Sequence, residues 1–182
     1  MMNKLAEKFE SDLKPALQKE FGLKNPLAVP RLIKVVVSMG VKEGAKDKGV
    51  IEKNKSQLEI IAGQTARICR AKKSIAAFSL VKGSPIGLSL TLRGKKMFDF
   101  LEKLFGIVLP RLRDFHGVSL KGFDGWGNYN LGIPEIIVFP EVDYGKVDKT
   151  KGLQVTLVTN AKDDKIARRL LEALGMPFSK DA

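Results

Sequence analysis

The sequence predicts an α+β domain, from three observations. Residues alternate apolar and polar with a period of two at 31–39, 87–93 and 153–157, the pattern of strands with one buried and one wet face. Elsewhere apolar residues recur at helical spacing, so amphipathic helices are available to cover the apolar side of a sheet. The third is a stretch of 39 residues, Ile60–Phe98, that holds no Asp or Glu but contains Arg67, Arg70, Lys72, Lys73, Lys82, Arg93, Lys95 and Lys96.

In chain order, Leu5, Phe9, Leu13, Leu17 and Phe21 recur every four residues and predict a first helix, stopped at Gly22 and kinked or split at Pro15. Pro26 and Pro30 hold an extended connector. From Arg31, Ile33, Val35, Val37 and Met39 fall on one side of a strand and Lys34, Val36 and Ser38 on the other, with Gly40 at its end. Val41–Lys48 reads as a charged linker into a second helix, whose stripe is Ile51, Leu58, Ile61 and Ala62 and whose cap is Gly63. A short strand at Arg67–Cys69 opens a long basic loop that Gly87–Arg93 closes. Two strands joined in this way pair antiparallel most simply.

Met97, Leu101, Leu104, Phe105 and Val108 predict a third helix that Pro110 ends. Gly117, Gly122, Gly125, Gly127 and Gly132 then fall within sixteen residues, among Phe123, Trp126 and Tyr129, a density that demands turns. Ile136–Phe139 reads as a short strand before Pro140, and Leu153, Val155 and Leu157 mark a last one. Asp163 or Asp164 caps a final helix with Ile166, Leu170, Leu171 and Leu174 inward, ended by Gly175 and Pro177.

A chain of 182 residues with 44% hydrophobic content can bury a full core and most naturally forms one domain over 1–182. The net charge of +12 argues for a polyanionic partner, and its distribution divides the chain into three. A helical segment, 1–30, carries five basic and four acidic residues; 31–96 carries fifteen and four; 97–182 carries twelve of each. The middle segment is therefore the expected RNA-binding half, and the last, charge-balanced one is free for another task. A basic surface kept for solubility would instead be spread along the chain. Cys69 stands alone and permits no internal disulfide. No apolar run approaches the roughly 20 residues of a membrane span, and Met1–Glu10 lacks the apolar core of a secretory signal. A cytoplasmic protein is expected.

The wet face of the sheet is expected to show Lys34, Ser38, Arg67, Ser89, Thr91, Arg93, Gln154 and Thr156, with no carboxylate among them. Hydroxyls and an amide can meet base edges, phosphates and ribose hydroxyls, and an open sheet suits irregular RNA better than a duplex groove. An ordinary solvated face would carry acids as well. Enzyme chemistry has little to work with. His116, the only histidine, sits in a turn with no cysteine near it in sequence, and Gly94-Lys95-Lys96 lacks the spacing of a phosphate-binding loop. Neither a catalytic residue nor a metal or cofactor site is expected. Trp126 and Tyr129 could stack bases or equally pin their loop to the body.

Ordered matches extend from about Leu5 to Phe178. They are Val29-Pro30-Arg31, Met39-Gly40-Val41, Gly63-Gln64, Ala71-Lys72-Lys73-Ser74-Ile75-Ala76, Pro85-Ile86-Gly87, Thr91-Leu92-Arg93-Gly94, Leu109-Pro110-Arg111, Phe123-Asp124-Gly125, Gly127-Asn128-Tyr129, Phe139-Pro140-Glu141 with Asp143-Tyr144, and Gly175-Met176-Pro177-Phe178. By these the chain closely resembles the bacterial family of large-subunit ribosomal protein five. The resemblance implies a non-enzymatic, ribosome-bound protein that attaches 5S rRNA in the central protuberance. It implies RNA contacts on the sheet at Lys34, Ser38, Gln64, Thr91 and Arg93, to which the reading of the wet face adds Arg67 and Ser89. It further implies that the Lys72–Pro85 loop reaches the peptidyl-site tRNA through Lys72, Lys73, Phe78, Ser79 and Lys82. A protein of the small-subunit head is the remaining implied partner, with Arg111, Arg113, Asp114, Glu141, Asp143 and Lys146 as the candidate contacts. Ser38 stands where the family usually has Asn, which leaves a single hydroxyl in place of an amide, and Trp126 and His116 stand where Arg is common. Beside this reading stand a generic single-stranded nucleic-acid binder, which would take unrelated RNA almost as well, and a protein interaction module with a basic face.

Overall fold

In a computed structural model of the chain, residues 4–45, 47–113, 115–142, 145 and 150–179 are described. Asp114, Asp143 and Lys146, expected to face a small-subunit protein, lie outside the described residues. The strands are β1 (Leu32–Gly40), β2 (Arg67–Arg70), β3 (Pro85–Leu92), β4 (Tyr129–Ile133) and β5 (Leu153–Thr159), joined in one five-stranded sheet of order β2-β3-β1-β5-β4. β2 and β3 pair antiparallel, with Arg67 opposite Ser89 and Ile68 opposite Leu88. The other pairings run the same way. The Val41 N–H past the end of β1 donates to Ile86 at the start of β3, and the Asn160 N–H past the end of β5 donates to Arg31 just before β1. At the other edge, Thr159 at the end of β5 donates its N–H to the Asn128 side chain just before β4. The α+β expectation holds.

The chain divides into two compact units, one of Met1–Val35, Arg93–Leu131 and Thr156–Ala182, the other of Val36–Leu92 and Gly132–Val155. In the first, α1 (Lys4–Lys8) and α2 (Lys14–Glu20) are joined by a π-helical turn, Phe9–Leu13. Pro15 therefore does not split the helix: the wider turn just before it interrupts the α-helical pattern, and the backbone at Leu13 stays helical. Gly22 (φ +61) stops it, with the Leu23 N–H reaching back to Gln18 and the Gly22 N–H to Lys19, the two bonds of a Schellman motif. α4 (Gly94–Lys103) packs against α1, buries Met97, Phe100 and Leu101, and runs through a second π turn, Leu104–Val108. α5 (Asp164–Ala173) is capped by Asp163, buries Ala167, Leu170 and Leu171, and is tied to α2 by an Arg169–Glu20 ion pair of 2.7 Å. Phe123, Tyr129 and Phe178 form an aromatic cluster.

In the second unit, α3 (Lys48–Ala62) starts on an Asp47 cap, ends at Gly63 (φ +62) and packs on β3. Ile51, Leu58 and Ile61 are buried, as are Val37, Met39, Leu88, Leu90, Leu92, Leu153 and Val155 from the strands. Backbones approach closely at Gly87, where an added Cβ would lie 2.8 Å from the Met39 carbonyl oxygen. No other residue type fits there without a shift of the main chain.

Three further local expectations fail. Ile33, expected inward, is 41% exposed while Leu32 is buried at 8%, so the alternation of β1 starts only at Val35. The apolar run Ile136–Phe139 is a 3-10 turn, Ile136–Val138, rather than a strand, since prolines flank it and the Phe139 N–H closes back on Ile136. A strand, β4, lies instead within the glycine-dense segment, with Tyr129, Leu131 and Ile133 buried in alternation.

Candidate nucleic-acid interface

Ile33 apart, the wet positions of β1 and β3 are those the sequence pattern selects. Lys34, Val36 and Ser38 on β1 are half-buried between Val35, Val37 and Met39, which are fully buried. On β3, Ser89 and Thr91 are half-buried between Leu88, Leu90 and Leu92. Arg67 is exposed and stands directly opposite Ser89 in the β2–β3 ladder, so a guanidinium and a hydroxyl share one face. Gln64 lies just before β2 and donates its side-chain amide to the Thr91 carbonyl at 3.0 Å. That bond fixes the amide against β3 and leaves its oxygen and a second N–H for a ligand. Arg93 is exposed where β3 gives way to α4, in extended backbone. No strand of the sheet contains an Asp or Glu.

Charge pairing separates these cations from others. Lys14, Lys55, Lys151, Arg168 and Arg169 each have a carboxylate within 4.0 Å. Lys34, Arg67, Lys72, Lys73, Lys82 and Arg93 have none among the described residues. Their field is therefore not cancelled locally and is open to an external polyanion.

The basic loop between β2 and β3 is folded. At its base the Arg70 guanidinium donates to the Gly83 carbonyl at 3.1 Å, and Ala71 exchanges main-chain bonds with Ser84 and Gly83. At its tip Ile75 and Leu80 pair in both directions around a 3-10 turn, Ala76–Phe78, with Ser79 in the left-handed region (φ 51). The Ser74 hydroxyl accepts the Lys82 N–H at 2.9 Å. Lys72, Lys73, Ser79 and Lys82 are all exposed on it. So are Phe78 at 67% and Val81 at 64%, apolar groups with no core to enter.

Of the residues expected to meet a small-subunit protein, Arg111, Arg113 and Glu141 are exposed. Trp126 and Tyr129 divide between the two alternatives the sequence leaves open. Tyr129 is 1% exposed and pins its segment to the body, whereas Trp126 is 75% exposed. Sequence reasoning missed what holds the Trp126 loop. Asp124 accepts the N–H groups of Trp126 (2.8 Å) and Asn128 (3.0 Å) as well as the Asn128 side-chain amide, and these bonds hold its carboxyl below the usual carboxylate range. Asp164 accepts the N–H groups of Gly125 and Gly127. An Asp followed two and four residues later by such donors is the local signal that was available; the contribution of Asp164, 37 residues away from Gly127, had none.

Among the described residues no group of three His, Cys, Asp or Glu could hold a metal ion, and no helix is long and apolar enough to cross a membrane. Residues 25–80 match the family described as Ribosomal protein L5, and residues 85–178 match the ribosomal L5P family C-terminus. The chain is 51% identical over 179 residues to the "Large ribosomal subunit protein uL5" of Thermoanaerobacter sp. (strain X514), covering 98% of this chain and 100% of that one. It is equally similar, with the same coverage, to the protein of that name from Dictyoglomus turgidum, and 49% identical to the one from Campylobacter hominis over 98% of this chain and 99% of that one. With both family descriptions matched in order and near-complete coverage of these bacterial relatives, the chain belongs to the L5 family of large-subunit ribosomal proteins.

Proposed function

We propose that this protein is a structural constituent of the bacterial large ribosomal subunit that binds 5S rRNA through the wet face of its sheet and holds it in the central protuberance. The observation that carries this reading is the row of wet positions on strands without a single carboxylate, Lys34 and Ser38 on β1, Arg67 on β2, and Ser89 and Thr91 on β3, with Gln64 just before β2 and Arg93 just after β3; the cations Lys34, Arg67 and Arg93 have no carboxylate partner among the described residues. Cations hold the phosphates, and the hydroxyls and amide select among base edges and ribose hydroxyls. The basic loop reaches the peptidyl-site tRNA through Lys72, Lys73, Phe78, Ser79 and Lys82, and the segments at Arg111–Asp114 and Glu141–Lys146 meet a protein of the small-subunit head. The work is done on the ribosome, in the cytoplasm, by binding alone.

The test is a salt series of binding to 5S rRNA and to an unrelated RNA of equal length. Affinity falls with salt for every phosphate contact, so preference for 5S rRNA that survives moderate salt supports the assignment. Equal binding that collapses with salt leaves a generic single-stranded RNA binder. Arg93→Ala or Thr91→Ala is expected to weaken 5S rRNA binding while leaving the unfolding transition in place. Unchanged affinity in folded Arg93→Ala protein would remove this face from the site. Deleting Ala76–Lys82 is expected to spare 5S rRNA binding and weaken contact with tRNA on assembled ribosomes; loss of 5S rRNA binding would contradict that division.

A further inference from the structure

Trp126 is the only tryptophan of the chain and is 75% exposed, yet main-chain groups on both sides of it are hydrogen-bonded to side chains of the fold. Gly125 and Gly127 flank it at φ +84 and +81, a conformation that only glycine adopts readily. Their N–H groups are held by the two oxygens of Asp164 at 3.1 and 2.9 Å, and the Thr159 hydroxyl donates to the Gly127 carbonyl at 2.7 Å. Asn128 is held by Asp124 on one side and accepts the Thr159 N–H on the other. A Cβ on Gly127 would lie 3.1 Å from the Lys162 nitrogen, so the loop rests on the 161–163 turn. Because the backbone that carries the indole is already fixed, only the side-chain torsions of Trp126 have to be ordered when a partner stacks on it.

The surrounding charges indicate the partner. Asp124, Asp163 and Asp164 all turn their oxygens to N–H donors of the fold. Lys121, Lys162 and Lys165, in the segments that border the loop, are exposed and have no carboxylate partner among the described residues. An exposed aromatic ring on a fixed backbone, with exposed lysines in the bordering segments, suits an unpaired base and its phosphates.

We propose that Trp126 is a stacking platform for an unpaired RNA base, a contact separate from the sheet face and from the 71–84 loop. The proposal goes beyond the reading above but rests on it, in that the chain works among ribosomal RNA. Because the chain has a single tryptophan, its intrinsic fluorescence reports on this position alone. Full-length protein would be titrated with purified 5S rRNA and, separately, with the large rRNA of the large subunit, following both tryptophan emission and, by filter retention, binding itself. Quenching by one of these RNAs is expected, with Trp126→Ala binding that RNA roughly 5- to 150-fold more weakly and Trp126→Phe retaining part of the affinity. Retention of both RNAs with unchanged emission, and equal affinity for Trp126→Ala, would overturn the platform while leaving the 5S rRNA assignment standing. Failure to retain 5S rRNA at all would count against the earlier reading instead, and the emission change with the large rRNA would still decide this one. An emission change elicited only by RNA-free ribosomal proteins would assign Trp126 to a protein neighbour and overturn the proposal.

Discussion

Tyr129→Ala is expected to destabilise the protein by about 3–5 kcal/mol, the range for removing a large aromatic from a packed core. Its ring is 1% exposed and meets Phe123 edge-on at 4.8 Å and Phe178 edge-on at 5.6 Å. Its hydroxyl donates to the Ser119 carbonyl. Gly122 leaves room for it, since a Cβ there would lie 2.6 Å from the ring. Denaturant unfolding at neutral pH checks the figure, and a loss under about 1 kcal/mol would mean that the cluster repacks around the gap. Alkaline pH gives a second reading. Burial pushes the Tyr129 phenol up to about 12 from 10.0. A folded-state value above the unfolded one means that the stability is complete below about pH 10 and is lost as pH rises through about 12. Tyr129→Phe keeps the rings and is expected to remove that part of the alkaline decline.

The second large effect lies in the other unit. Leu90 is 4% exposed on β3, and Leu90→Ala is expected to cost about 2–5 kcal/mol. Its neighbour Thr91 faces the opposite way and is half-buried, so Thr91→Ala should leave the denaturation midpoint nearly unchanged and act on RNA affinity. Adjacent residues thus separate stability from binding. Comparable destabilisation by both would mean that the wet face is part of the core.

Much of this was legible in the residues because the strands that carry the site alternate cleanly. Val35, Val37 and Met39, Leu88, Leu90 and Leu92, and Leu153, Val155 and Leu157 are all buried as their spacing predicts. Gly22 and Gly63 end helices because both positions need positive φ. What was not legible depends on contacts distant in sequence. β4 is hidden among glycines, because Tyr129 and Leu131 become strand residues only when β5 offers a partner. Either Asp163 or Asp164 could cap α5; Asp163 does, and Asp164 is drawn away by Gly125 and Gly127. Leu32 takes the inward place expected of Ile33 at the start of β1, where period-two alternation alone does not decide which residue is covered. In the site, the charge excess could be counted from sequence, but the Gln64 bond to Thr91 and the closure of the loop tip could not. Each needs two segments to meet.

The pairing of Ile75 with Leu80 and the Ser74 bond to Lys82 set when the 71–84 loop is ordered. A flexible basic loop would have to be immobilised at the moment of docking, at a cost of about 1–2 kcal/mol per residue in backbone entropy. Here much of that ordering accompanies the folding of the protein itself. Association through the tip should then proceed in a single kinetic phase, without a slower step that grows in as the loop finds its shape.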